Sequence, residues 1–119
     1  MRANSDIGLL IPEVHLFHDR KKCKRFLKKG KFDDVELYDT EGQMIYADGV
    51  AVVLMEHAGR HSTELALLVH EAYHVAEAHM AWLGEDDYGE ESMAYLIQTI
   101  SGGLFEAHEK WRKRHVVQS

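Results

Sequence analysis

Ser62-Thr63-Glu64-Leu65-Ala66-Leu67-Leu68-Val69-His70-Glu71-Ala72-Tyr73-His74-Val75-Ala76 is the stretch that decides how this chain folds. Leu65, Leu68, Val69, Ala72, Val75 and Ala76 recur at spacings of three and four, the buried stripe of an amphipathic helix. Ser62 or Thr63 suits the N-cap, and Glu64 lies where the helix dipole favours an anion. The pattern predicts a helix from about Ser62 to Trp82, stopping near Gly84. Inside it His70-Glu71-Ala72-Tyr73-His74 spells H-E-x-x-H, and helical geometry sets His70 and His74 one turn apart on one face.

Downstream, Glu85-Asp86-Asp87 reads as an acidic turn. A second helix should begin near Tyr88 or Gly89 and reach about Arg112, packing through Met93, Leu96, Ile97, Ile100, Leu104, Phe105, His108 and Trp111. Gly102-Gly103 is expected to kink it, since paired glycines are poor helix formers. Trp82, Phe105 and Trp111 are assigned to the core.

Upstream the period changes. A strand is expected around Glu13–His18, then a short lysine-rich helix over 19–30 closed by Gly30. Its cationic cluster reads as a solvated face rather than a phosphate contact. Val35-Glu36-Leu37-Tyr38-Asp39 and Met44-Ile45-Tyr46-Ala47, joined through Gly42, suggest a β-hairpin. Asp48-Gly49 is a strong turn signal, and Val50–Met55 is a continuous apolar run suited to a strand covered on both faces. The predicted class is α+β: a small, mostly antiparallel sheet, the H-E-x-x-H helix, and a long C-terminal helix led by glutamates.

The 119 residues suggest one domain over 1–119, with 45% apolar residues to supply its core. A formal charge of −6 argues against a nucleic-acid binder. The single cysteine, Cys23, excludes an internal disulfide and a Cys-rich zinc knuckle; a small residue on a helix is its expected role. No apolar run reaches membrane-spanning length, and Ile7–Ile11 is too short for the core of a signal peptide. A cytoplasmic protein with no membrane partner is the expectation.

Two imidazoles one helical turn apart can share a zinc ion, with Glu71 bordering the position of an attacking water and serving as general base. Glu91, seventeen positions after His74 on the second helix, is the expected third ligand; Glu90, about 100° away on the same turn, is the runner-up. Tyr95 shares a face with Glu91 and is the candidate to hold that carboxylate or to donate to a developing oxyanion, against the alternative of a core tyrosine. Tyr73, His79 and Tyr88 are weaker candidates, and His57 and His61 precede the helix within reach of the cleft. In a chain with nine histidines, the motif also fits two solvated helix residues; the glutamate-led helix that follows favours the metal site.

The order of strands, H-E-x-x-H helix and glutamate helix resembles the zincin metallopeptidases, and within them the gluzincin branch. The chain looks like small H-E-x-x-H proteins encoded by bacteriophages and prophages over Leu67–His74 and again over Glu91–Gln98, so the resemblance covers roughly the C-terminal half. It departs from relatives in lacking the third histidine of metzincins, in carrying Tyr95 where thermolysin-like enzymes place an aspartate, and in lacking a second domain to wall the cleft. By resemblance Val50–Met55 is the edge strand that would pair with a peptide substrate. The resemblance implies a Zn2+-dependent hydrolase of peptide or protein substrates, working in the bacterial host cell if phage-encoded. The rival expectation is a non-enzymatic binding or assembly protein with a structural or vestigial metal site.

Overall fold

Among the described residues three strands and three helices follow in the order β1 (Glu13–Phe17), α1 (Arg20–Lys29), β2 (Gly42–Ala47), β3 (Val50–Met55), α2 (His61–Trp82) and α3 (Glu90–His115). The computed structural model describes residues 11–30, 32, 35–38, 42–56, 60–84 and 89–115. Asp48 and Gly49 both take positive φ, 49° and 84°, as a two-residue type I′ hairpin requires. They join β2 to β3 in antiparallel register from Ala47↔Val50 to Gly42↔Met55. β1 adds to the other side of β3 in parallel, from Glu13↔Val50 to Phe17↔Leu54, giving the order β1-β3-β2. The α+β class holds, with a sheet that is mixed: one antiparallel pair and one parallel pair.

The hairpin therefore lies one strand later than the sequence suggests. Residues 35–38 form no strand. Their backbone groups find other partners: Tyr38 N–H donates to Gln43 Oε1 at 2.7 Å, Gln43 Nε2 donates to the Glu36 carbonyl at 2.9 Å, the Arg20 guanidinium donates to the Tyr38 carbonyl at 3.0 Å, and Val35 N–H donates to the Phe32 carbonyl at 3.3 Å. The turn proposed at Thr40 and Glu41 lies outside the described residues.

β3 is buried along Ala51–Met55 because both of its faces are covered. Ala51, Val53 and Met55 join Leu68, Ala72, Val75 and Ala76 of α2 and Leu96, Ile100 and Leu104 of α3 in one core. Val52 and Leu54 face the other way, onto Cys23 and Leu27 of α1 with Ile45. The period-2 alternation of one strand thus seeds two cores, and the layers run α2/α3, sheet, α1.

Asp19 caps α1 by accepting from the Lys21 and Lys22 N–H groups at 2.8 and 3.2 Å, and these bonds, Lys22 first, hold its carboxyl below the usual value. Lys28 and Lys29 occupy the last turn, where the dipole favours cations. α2 starts at His61 with Arg60 at the N-cap and no side-chain cap, so Ser62 and Thr63 lie inside it, exposed. Its buried stripe is Glu64, Leu68, Glu71, Ala72, Val75, Ala76 and His79; Val69 is exposed instead. α3 runs through Gly102-Gly103 as one helix. Trp82 is 45% exposed rather than core: its ring lies over Gly49 and stacks on His79. Among the described residues no helix is long and apolar enough to cross a membrane.

Candidate metal centres

Three of the seven buried positions of α2 are polar, Glu64, Glu71 and His79, and the two glutamates each mark a site. A buried polar group costs free energy unless it is satisfied, so such positions are where chemistry can be sought.

Glu71 marks the first. It is 6% exposed and lies where α2 crosses β2; a Cβ built on Gly42 would stand 3.0 Å from its Oε2. Burial raises the Glu71 carboxyl above its ordinary pKa, and the His70 and His74 imidazoles pull against that rise. A cavity of about 550 Å³ opens here, lined by Gly42, Gln43 and Met44 of β2 and by His70, Glu71, His74, Glu77, Ala78 and Ala81 of α2. The Nε2 atoms of His70 and His74 point at one another across 3.2 Å. Glu77 lies one turn beyond, its Oε1 3.9 Å from His74 Nδ1 and its Oε2 accepting from the Tyr73 hydroxyl at 3.2 Å. So the motif's three residues meet in one cleft, as the helical period requires.

The α3 candidates lie elsewhere. Glu90 and Glu91 occupy the first turn of α3, both exposed, and Tyr95 is 64% exposed. None of the three lines the cavity among the described residues, whose lining comes from β2 and α2. Tyr73 is exposed beside Glu77, and His79 is buried against Tyr46, its Nδ1 hydrogen-bonded to the hydroxyl at 2.6 Å. That burial, ahead of the nearby Asp48 charge, pushes the Tyr46 phenol up to about 12. His57 and Tyr88 lie outside the described residues. Val50–Met55 is not the edge strand: β3 is bonded on both sides, and the strand beside the cleft with a single ladder partner is β2.

Glu64 marks the second site. Among the described residues, His61, Glu64 and His108 form a group able to hold a metal ion, their ligand atoms all within 4.8 Å of one another. Glu64 and His108 are 1% and 0% exposed, and His108 Nε2 meets Glu64 Oε1 at 3.1 Å. Burial lowers the His108 pKa, and the Glu64 carboxylate opposes it. His18 Nε2 lies 2.9 Å from His108 Nδ1, and the His18 ring stacks on Trp111 at 4.0 Å. Sequence reasoning placed His61 near the H-E-x-x-H cleft and Glu64 as a dipole charge; it named His108 only as a packing residue. Two signals were available: His61-x-x-Glu64 is a one-turn pair, and His108 is a histidine on an apolar stripe.

Charge is segregated as well. Twelve of the fourteen Lys and Arg residues fall in 20–31 and 110–114, two segments without an acidic residue. The structure sets them across a groove of about 990 Å³, with Arg20, Lys21, Lys22 and Lys24 facing Lys110 and Arg114. The formal charge of −6 averages an acidic body and a basic end.

No protein-family model matches the chain, and no curated protein or solved structure matches it either.

Proposed function

We propose that this protein is a zinc-dependent hydrolase of the zincin type, acting on a peptide or related amide bond in the cleft between β2 and α2. One observation carries the reading: the two Nε2 atoms of the H-E-x-x-H histidines lie 3.2 Å apart. Zinc–nitrogen bonds of about 2.0–2.1 Å at a tetrahedral angle separate two nitrogens by roughly 3.3–3.4 Å, so the pair already has the required bite. The donor set is also right, since neutral imidazoles with a carboxylate nearby suit zinc better than magnesium or calcium. Zinc held there by His70 and His74 would supply Lewis acidity, enough to acidify a water and polarise a carbonyl.

The chain's own groups do the rest. His70 and His74 would hold the ion, and Glu77, its Oε1 3.9 Å from His74 Nδ1, stands where it would orient that ring by closing to hydrogen-bond distance. Glu71, kept basic by burial, takes a proton from the attacking water and returns it to the leaving amine. The sequence assigns the third ligand to Glu91. That carboxylate is exposed and outside the cavity, so His70, His74 and Glu71 are the part of the site that geometry supports. β2, beside the cleft and with one ladder partner among the described residues, is the strand to which an extended substrate would add.

The test pairs zinc content with peptide hydrolysis. His70→Ala and His74→Ala lose the zinc of the cleft and hydrolysis with it, whereas Glu71→Gln keeps zinc and loses turnover by about 10²–10⁴-fold. Wild-type turnover in Glu71→Gln ends the mechanism. Absence of hydrolysis by the zinc-loaded wild type across a peptide library ends the hydrolase reading.

A further inference from the structure

We propose that His61, Glu64 and His108 bind a second zinc ion, which ties the first turn of α2 to α3 and is separate from the H-E-x-x-H cleft. The inference does not rest on the hydrolase reading. His61 and Glu64 are three residues apart on α2, and His108 reaches them from α3.

Hydrogen bonding singles out the inner atoms. His61 Nε2 is held from outside by Glu109 Oε1 at 3.1 Å, while its Nδ1 is buried without a hydrogen-bond partner among the described residues. His108 Nδ1 is held by His18 Nε2 at 2.9 Å, leaving His108 Nε2 facing Glu64 Oε1. Each imidazole thus has one nitrogen fixed by a neighbour; the other meets the Glu64 carboxylate in His108 and is a buried, unsatisfied Nδ1 in His61, whose ligand atom lies within 4.8 Å of those of Glu64 and His108. That is the arrangement metal-bound histidines adopt, where an outer partner sets tautomer and ring orientation. A buried Glu64–His108 pair by itself accounts for two of the three residues and leaves the His61 Nδ1 atom unexplained; a cation satisfies all three. Two imidazoles and one carboxylate select zinc over magnesium or calcium. The 3.1 Å between His108 Nε2 and Glu64 Oε1 matches the spacing of two donors on one tetrahedral ion.

Full-length protein is stripped with a chelator, reloaded with zinc, desalted, and assayed for zinc per chain and for thermal midpoint. The variants are His61→Ala, the double variant His70→Ala/His74→Ala, and the combination of all three. His61 is chosen because it is half exposed and its removal spares the core. Wild type is expected to hold two zinc ions, His61→Ala one, the double variant one, and the triple variant none. In the double variant zinc raises the midpoint by several degrees, and this shift vanishes when His61→Ala is added. If zinc is lost with His61→Ala but not with the double variant, the second site stands and the cleft reading fails. If His61→Ala holds as much zinc as wild type, or if zinc does not move the midpoint of the double variant, the second site is overturned.

Discussion

Gly42 lies against the Glu71 carboxylate so closely that a Cβ at position 42 would stand 3.0 Å from Oε2. The contact ties the edge strand to the one buried acid of the cleft. Gly42→Ala must push the end of the Glu71 side chain aside by a few tenths of an ångström. A side-chain end moves cheaply and a strand tolerates alanine, so the fold survives. The carboxylate leaves its position, and displacement of a proton-transfer group on this scale costs about tenfold in kcat. The expected result is an unchanged thermal midpoint, unchanged zinc content and a kcat about ten times lower. Full activity in Gly42→Ala would show that the Glu71 position is not critical.

The hairpin gives a second prediction. Gly49 has φ of 84°, and a Cβ there would stand 3.2 Å from the Trp82 ring. Gly49→Ala therefore meets left-handed backbone strain of about 1–2 kcal/mol and a clash with the ring closing the end of α2. Urea unfolding should show a lower midpoint, with an unfolding free energy reduced by about that amount. Trp82→Ala relieves only the clash, so Gly49→Ala should remain destabilising in that background. Equal stability of the two proteins in urea would mean the turn is not held as described.

What the sequence revealed follows physical range. Helices depend on a local period and on caps, and so α1, α2 and α3 were legible to within a few residues from Gly30, the Leu68–Ala76 stripe and the run from Met93 to Trp111. The partner of β2 was not, because Asp48-Gly49 and the Gly42 region both signal turns, and no local pattern tells that the Gln43 and Arg20 side chains take backbone groups of residues 36–38. His70, Glu71 and His74 were legible because one helical turn fixes their relation. Glu64 and His108 were not, because 44 positions separate them and their meeting depends on how α2 and α3 pack. The basic end was hidden for the same reason: net charge carries no information about which segments come together.

Cys23 supplies a pH test of the α1 layer. Its side chain is fully buried, and desolvation pushes the thiol from 9.0 up to about 11, with Arg20 opposing. At pH 8 the native thiol should carry about a hundredth of the thiolate of an unfolded chain and label correspondingly slowly with iodoacetamide. The sign for stability follows. The folded form favours the protonated thiol, so this contribution is complete below pH 9 and is lost as pH rises toward 11. Cys23→Ala should remove that part of the alkaline loss. Labelling at equal rates in native and urea-unfolded protein would place the thiol at the surface.

Glu77 discriminates between the two ways the cleft can complete its ligand set. It lines the cavity, with Oε1 3.9 Å from His74 Nδ1, whereas Glu91 is exposed on the first turn of α3. As the outer carboxylate that orients His74, Glu77 should weaken zinc binding about 10–100-fold when changed to Ala, with Glu77→Gln recovering part of the loss through its amide oxygen. A direct ligand behaves differently: its glutamine variant recovers little, because the negative charge on the ion is gone. Competition for zinc against a chromophoric chelator, run on Glu77→Ala, Glu77→Gln, Glu91→Ala and Glu91→Gln, separates the roles. Recovery at 77 and none at 91 assigns orientation to Glu77 and ligation to Glu91. Unchanged affinity in both Glu77 variants removes Glu77 from the site, and unchanged affinity in both Glu91 variants removes α3 from it.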